Sequence, residues 1–285
     1  MSKNHQPPVY PDEPRIPILP NMLTAGNLLC GFFAILTIFK GMAFEDGSAQ
    51  AFDYYQQATY LIFAACIFDL LDGRVARMCK ADGPFGREFD SIADVISFGV
   101  APAMLLSRAV LFDLPDAFGM GIGVLYLLCA SLRLARFNCM AAAPKKPNQS
   151  MDFVGLPVPM AAGAVVSTMY LVIDVTTHHS KHGLQIATPW LYVMGGMMTL
   201  VSLLMMSRVI YPSFKHVNFE KRGTVTAILL SSGAICAFVC LPWIAPAIIF
   251  LCYLGYGLIV RPFLTRRMRR IIEVDDSEDD DTPQS

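Results

Sequence analysis

The most constraining feature of this chain is a succession of apolar runs, each about as long as a helix that crosses a lipid bilayer. One span needs about 20 mostly apolar residues, because the hydrocarbon core of a bilayer is roughly 30 Å thick. Charged residues make up only 16 % of the chain, well below the level of soluble domains. The runs lie at residues 18–39, 58–78, 92–112, 119–137, 156–173, 189–206, 224–240 and 244–262. The sequence therefore predicts an all-α, polytopic membrane protein with about eight transmembrane helices.

The distribution of basic residues predicts the orientation of these spans. If the amino terminus is cytoplasmic, only Lys40, Arg108 and Lys181 of the 22 Lys and Arg residues fall on the outer side. Basic loops resist translocation, so this asymmetry favours a topology with both termini in the cytoplasm. An odd number of spans would not preserve the alternation.

The two ends of the chain differ in composition from the part between them. Residues 1–15 are polar and proline-rich, and we expect a disordered or membrane-surface tail there. Residues 16–265 form the predicted membrane domain. Residues 266–285 run from a basic cluster into an acidic stretch, which is typical of a disordered tail. The net charge of −1 gives no indication of a nucleic-acid partner.

Four aspartates lie at or inside the ends of two apolar runs, namely Asp69, Asp72, Asp90 and Asp94. An unpaired carboxylate in such a place costs at least ~2.5 kcal/mol. Spacings of three and four residues put each pair on one helical face, so two helices can direct all four carboxylates to one point. Converging negative charges and all-oxygen ligation favour a hard cation, which predicts Mg²⁺ or Mn²⁺. One ion would leave excess negative charge, so we expect two.

The alternative is that these aspartates cap helices or pair with Arg74, Arg77 and Arg87 at the membrane surface. One aspartate at the end of a span would favour that interpretation. Four at this spacing, interleaved with glycines, favour the metal site.

Small residues surround the acidic positions. Gly73, Ala76 and Gly86 would leave backbone rather than side chains to line a cavity, so a bulky polyphosphate could approach. Arg77 adds a guanidinium group whose geometry suits phosphate oxygens.

These residues carry a family resemblance. The pattern Asp69-x2-Asp72-Gly73-x2-Ala76-Arg77-x8-Gly86-x3-Asp90-x3-Asp94 resembles the complete signature of the CDP-alcohol phosphotransferases. The resemblance implies an integral membrane enzyme, usually a homodimer, that cleaves a CDP-linked substrate, joins its phosphatidyl or similar group to an alcohol and releases CMP. It also implies metal binding by the four aspartates, with Asp94 as the general base. Gly73, Ala76, Arg77 and Gly86 would bind the CDP moiety.

Further segments resemble one branch of this family, the membrane-spanning phosphatidylserine synthases. They are Pro20-Asn21-x2-Thr24-x2-Asn27-Leu28-x2-Gly31, Ser97–Pro102, Arg133–Asn138, Gly155-Leu156-Pro157-x-Pro159 and Ser207-x3-Tyr211–Lys215. This likeness implies that CDP-diacylglycerol and L-serine are the substrates, within membrane lipid. It implies a bacterial cell (inner) membrane, with the active site on the cytoplasmic side.

The acceptor alcohol does not follow from the residues themselves. Arg133, Arg136 and Arg208 are candidates to bind the carboxylate of serine, but they could equally bind the phosphate of glycerol 3-phosphate or anchor helices at headgroups. A sister transferase that uses glycerol 3-phosphate or another alcohol is therefore the alternative function. A divalent-cation transporter is a more remote one, because intramembrane carboxylates also mark ion pathways.

Asn21, Thr24 and Asn27 follow one another along a helical face of the first span. Polar side chains there could contact cytidine or bond a neighbouring helix. The family resemblance favours cytidine.

Overall fold

The structure, a computed structural model, describes residues 17–45, 48–79, 83–111, 114–142, 153–179, 188–207, 209–211 and 244–260. The two predicted tails, the predicted span at 224–240 and the candidate acceptor residue Arg208 lie outside the described residues. The described part is almost entirely helical, as the sequence predicts.

The helices follow the apolar runs. They are α1 (Ile18–Gly41), α2 (Ala49–Met78), α3 (Pro84–Asp94), α4 (Ala101–Ala109), α5 (Asp116–Ala142), α6 (Val158–His179), α7 (Thr188–Met206) and α8 (Ala245–Gly255). A π-helical segment, Val95–Val100, joins α3 to α4, and a second one, Tyr256–Val260, continues α8.

Five helical stretches of the described residues are long and apolar enough to cross a membrane. They are Ile18–Gly41, Pro84–Ala109, Ala117–Ala141, Val158–Val175 and Pro189–Met206. The protein is therefore an integral membrane protein. Helix α2 has 30 residues, but its polar and acidic side chains lower its hydropathy, and the apolar stretch Ala245–Leu258 is shorter than a full span. The predicted number of eight spans is thus only partly seen.

Helix α3 begins earlier than the predicted run at 92–112, because Gly83 precedes the helix and Pro84 occupies its first turn. Proline suits this position, since its missing N–H would have no partner there. As a consequence, Asp90 and Asp94 lie well inside a continuous helical stretch rather than at its start.

The π-helical segment has a cause in the sequence. Pro102 cannot donate a hydrogen bond to the carbonyl of Phe98, four residues earlier, so the regular ladder is interrupted. The hydroxyl of Tyr126 on α5 donates to this carbonyl at 3.0 Å, and both side chains are fully buried. The interruption is therefore compensated by a neighbouring helix, directly after the two aspartates of α3.

Close approach of α1 to this segment depends on a glycine. A Cβ at Gly31 would clash with the backbone and side chain of Ser97. The Ser97 hydroxyl donates to the carbonyl of Asn27 at 3.0 Å, which fixes the two elements together. The polar face of α1 is thereby held against the helical stretch that carries Asp90 and Asp94.

Two short strands, β1 (Phe153–Val154) and β2 (Ile210–Tyr211), pair antiparallel between the helices. Gly155 follows β1 with φ of 85°, a conformation that favours glycine, and its N–H donates to Val209 at 2.8 Å. The pair ties the segment before α6 to the segment after α7.

Candidate active site

Two helices bring three carboxylates together. Asp69 and Asp72 lie in the last turns of α2, and Asp90 lies in α3. One carboxylate oxygen from each lies within 4.8 Å of the others. We call these three residues the acidic triad. The two helices therefore place three negative charges at one point of the bundle.

The donor chemistry of the acidic triad fits a divalent cation. All its ligand atoms are carboxylate oxygens, which hard ions such as Mg²⁺ and Mn²⁺ prefer. Asp90 Oδ1 is buried and has no hydrogen-bond partner among the described residues. Mutual repulsion and burial make such a group unfavourable unless a cation lies among the oxygens.

Asp94, like Asp72, is buried, but it stands outside the acidic triad. Its side chain is 6 % exposed, and its Oδ1 accepts a hydrogen bond from Asn27 Nδ2 at 3.1 Å. It follows Asp90 by one helical turn, so it lies deeper on the same face of α3. An oriented carboxylate next to the acidic triad is a candidate for a general base.

Helix α1 positions the carboxylates through two buried polar side chains. The Thr24 hydroxyl lies 2.7 Å from Asp72 Oδ2 and donates to it, while Asn27 bonds Asp94. Sequence reasoning left open whether the polar face of α1 contacts cytidine or a neighbouring helix. For Thr24 and Asn27 the structure shows contacts with carboxylates on neighbouring helices.

A cavity of about 360 Å³ opens beside the acidic triad. Its walls come from α1, α2, α3 and α5, and they include most of the residues expected to bind CDP. These are Asn21, Thr24, Gly73, Ala76, Arg77 and Gly86. Asp72 and Asp90 also line it, whereas Asn27 is fully buried and is not among the lining residues.

The glycines keep this cavity open. A Cβ at Gly73 would have only the Arg77 guanidinium within 4 Å, at 3.8 Å, so a side chain there would extend into free space. A Cβ at Gly86 would touch Asn21 Oδ1 at 3.4 Å. Backbone rather than side chains thus forms two parts of the wall, as a bulky phosphorylated ligand requires.

The arginines divide into exposed and buried groups. Arg77 and Arg87 line the cavity, and Arg77 is exposed, so both can reach phosphate oxygens from its rim. On α5, Arg136 is exposed, but Arg133 is only 8 % exposed, and its Nε has no partner among the described residues. The structure thereby separates two candidates that the sequence could not rank.

Sequence reasoning missed some lining residues. Arg87 and Phe137 both face the cavity, together with Gly83, Pro17 and Pro20. Helical spacing held a signal for Phe137, because it follows Arg133 by four residues and therefore shares its face of α5. Arg87 directly follows Gly86 in the acidic segment, but the motif does not specify it.

Comparison with known proteins agrees with this geometry. A sequence model described as CDP-alcohol phosphatidyltransferase matches residues 17–198. CDP-diacylglycerol–serine O-phosphatidyltransferase of Helicobacter pylori strain J99 is 31 % identical over 247 residues, covering 87 % of this chain and 92 % of the relative.

Two further relatives come from other organisms. The enzyme of the same name from Bacillus subtilis is 33 % identical over 197 residues, covering 69 % of this chain and 91 % of the relative. Archaetidylserine synthase of Methanothermobacter thermautotrophicus is 37 % identical over 197 residues, covering 68 % of this chain and 69 % of the relative. The family match spans every residue of the carboxylate site, and the chain therefore belongs to the CDP-alcohol phosphatidyltransferase family.

Proposed function

We propose that this protein transfers the phosphatidyl group of CDP-diacylglycerol to the hydroxyl of L-serine, giving phosphatidylserine and CMP. The observation that carries the chemistry is the acidic triad, two members of which, Asp72 and Asp90, line an open cavity. The choice of serine is supported by relatives that are named for serine transfer and match along most of the chain.

The reaction assigns a role to each group of residues. The serine oxygen forms a bond to the phosphorus of the phosphatidyl group, and the bond from that phosphorus to the bridging oxygen breaks. The bridging oxygen leaves with CMP and keeps the electron pair. Asp94, oriented by Asn27, accepts the hydroxyl proton.

The divalent metal would be held by Asp69, Asp72 and Asp90, with Asp94 as a further candidate ligand. We propose that the metal is Mg²⁺ or Mn²⁺ and that two ions bind. When bound, the metal neutralises charge on the pyrophosphate. Arg77 contributes a second positive charge at the rim, while Gly73, Ala76 and Gly86 leave room for the nucleotide. Asn21 and Thr24 face the same cavity, so they are the residues of α1 placed to contact CDP.

The finer topology also belongs to this proposal. We infer eight spans with both termini in the cytoplasm, residues 16–265 as the membrane domain, and the cavity opening to the cytoplasmic side of a bacterial inner membrane. The basic residues Arg74, Arg77 and Arg87 at this end of the bundle support that orientation. A homodimer is expected from the family resemblance.

An acceptor assay tests the function. Purified protein in lipid nanodiscs with Mg²⁺ or Mn²⁺ should release CMP from CDP-diacylglycerol only when L-serine is added. Release with glycerol 3-phosphate but not with serine would overturn the acceptor and keep the family chemistry. Transport of the divalent cation without any CMP release would overturn the proposal that the protein is a transferase.

A further inference from the structure

The π-helical segment Val95–Val100 begins directly after Asp94, the proposed general base. In a π turn the hydrogen bond joins residues five apart, here the Ala101 N–H and the carbonyl of Ile96, so the turn holds one residue more than an α-helical turn. Each residue turns an α-helix by about 100°. A return of the segment to α-helical geometry would therefore rotate Asp94 by that angle relative to α4.

Helix α5 holds the π-helical segment at one point. The Tyr126 hydroxyl donates to the Phe98 carbonyl at 3.0 Å, where Pro102 has no N–H to offer, so a bond from α5 replaces one that the helix itself does not form. Gly99 permits the close approach, since a Cβ there would lie 3.1 Å from Leu127 on α5. Loss of the hydroxyl would leave a buried carbonyl without this donor, and the segment would have to move to find another.

Helix α1 holds the same segment at a second point. The Ser97 hydroxyl donates to the backbone carbonyl of Asn27 at 3.0 Å, and the side-chain amide of Asn27 donates to Asp94 Oδ1 at 3.1 Å. Ser97 and Asn27 are both fully buried. One residue of α1 thus bonds both the carboxylate and the turn that follows it. A shift of the π-helical segment is therefore transmitted to the carboxylate of Asp94.

We propose that Tyr126 and Ser97 are positioning residues for Asp94. Together they fix the π-helical segment and, through it, the direction of the carboxylate that takes the proton of the acceptor. This inference rests on the proposed function, because it takes Asp94 as the general base. Both side chains are fully buried, and neither lines the cavity beside the acidic triad. Their removal should therefore lower kcat and leave substrate binding unchanged.

Removal of the Tyr126 hydroxyl tests the contact with α5. Tyr126→Phe should lower kcat for CMP release with L-serine about tenfold, because a misdirected base accepts the proton poorly. The KM values for CDP-diacylglycerol and L-serine should change less than about twofold. Replacement of Tyr126 by 4-aminophenylalanine keeps a hydrogen-bond donor in the same place and should return kcat to within about twofold of the wild-type value.

Tyr170→Phe is the matched control for this variant. It removes the hydroxyl of another buried tyrosine, one that bonds Gln56 and Tyr60 instead of the π-helical segment. It should leave kcat unchanged although two hydrogen bonds are lost. Each kcat is expressed per CDP-binding site, so that unfolded protein does not count towards it. A fall in kcat that is confined to Tyr126→Phe therefore reports on the geometry of the site.

Removal of the Ser97 hydroxyl tests the contact with α1 independently. Ser97→Ala should lower kcat several-fold at unchanged KM values, because the bond to Asn27 is lost. Ser202→Ala is its matched control, since the Ser202 hydroxyl is equally buried but donates to the carbonyl of Met198 within α7. It should leave kcat unchanged. If Tyr126→Phe does not fold, Ser97→Ala and this control decide in its place.

The outcomes separate the two proposals. If the wild-type protein is active with serine, an unchanged kcat in Tyr126→Phe or Ser97→Ala would overturn the role of that residue and leave the proposed function standing. A fall in kcat that comes with higher KM values or loss of CDP binding, or that 4-aminophenylalanine does not restore at position 126, would show a structural role and also overturn the inference. A wild-type protein that releases no CMP with any acceptor would overturn the function and the inference together.

Discussion

Helix α2 carries a group of polar side chains towards each of its ends, and the two groups differ in how they are paired. Near its beginning, Gln56 Nε2 donates to the Tyr170 hydroxyl at 2.9 Å, and the hydroxyls of Tyr60 and Tyr170 bond at 2.7 Å. We call these three residues the tyrosine cluster. About 19 Å further along the same helix, the acidic triad brings carboxylates together, and one of its buried oxygens has no described partner.

The difference shows what each group does. Neutral hydroxyl and amide groups in the tyrosine cluster satisfy one another, so their partial burial costs little and the contacts join α2 to α6. The acidic triad instead leaves like charges facing each other beside a cavity. A group that a fold retains although it is unfavourable by itself indicates a ligand that completes it, which in our proposal is a divalent cation with a phosphorylated substrate.

The largest expected effect is the loss of turnover when the proposed general base is replaced. Asp94→Asn removes the proton acceptor but keeps the shape and one oxygen that can accept the Asn27 hydrogen bond, so turnover should fall at least about a hundredfold while CDP binding persists. Measurements of CMP release and of CDP binding on the same protein preparation check both expectations. Near-normal turnover of Asp94→Asn would show that another group takes the proton.

A large effect on substrate binding is expected from filling the cavity. Gly73→Leu should raise the KM for CDP-diacylglycerol at least about tenfold, because its side chain would occupy space now free. Gly121→Leu on α5 is the matched control, since nothing lies within 4 Å of a Cβ there either, yet Gly121 is not at the cavity. Equal effects of the two variants would mean that the KM does not report on the cavity.

A smaller effect is expected from the support given by α1. Thr24→Val keeps the shape of the side chain and removes its 2.7 Å bond to Asp72, so kcat/KM should fall several-fold. Thr199→Val removes a hydroxyl that donates to the backbone carbonyl of Gly195 within α7, and it should leave kcat/KM unchanged. Unchanged kcat/KM in Thr24→Val would show that Asp72 does not need this bond.

The smallest effect on activity belongs to the tyrosine cluster. Tyr170→Phe should lower the free energy of unfolding by about 1 kcal/mol, because two hydrogen bonds are lost while their partners Gln56 and Tyr60 can turn towards other groups. Activity per folded molecule should stay the same. Denaturant unfolding in detergent and CMP release measure the two quantities, and a loss of activity without loss of stability would contradict the contrast between the two ends of α2.

Much of the site followed from the sequence because helical spacing is a reliable guide to shared faces. Asp69 and Asp72, and then Asp90, needed only the period of the helix and the cost of burying charge to be placed together. Gly73 and Gly86 followed from the same reasoning about space. The family resemblance supplied the chemistry that spacing alone left open.

Other features depended on packing between helices and could not be foreseen. The sequence predicted the start of the third span at residue 92, because Pro84 and the polar residues after it do not resemble a membrane segment. Whether Thr24 and Asn27 bond carboxylates or contact cytidine depends on the close approach of α1 that Gly31 permits. The difference between buried Arg133 and exposed Arg136 likewise arises from tertiary contacts.

The most direct test of the account is to measure the binding of Mn²⁺ by electron paramagnetic resonance in the absence of substrate. The wild-type protein should bind the ion, and Asp69→Asn and Asp90→Asn should each weaken binding at least about tenfold, with the two changes together removing it. The Glu88→Gln variant, which changes an exposed acidic residue on α3, should bind as the wild type does. Wild-type affinity in the double variant would contradict the claim that the acidic triad is held together by a divalent cation.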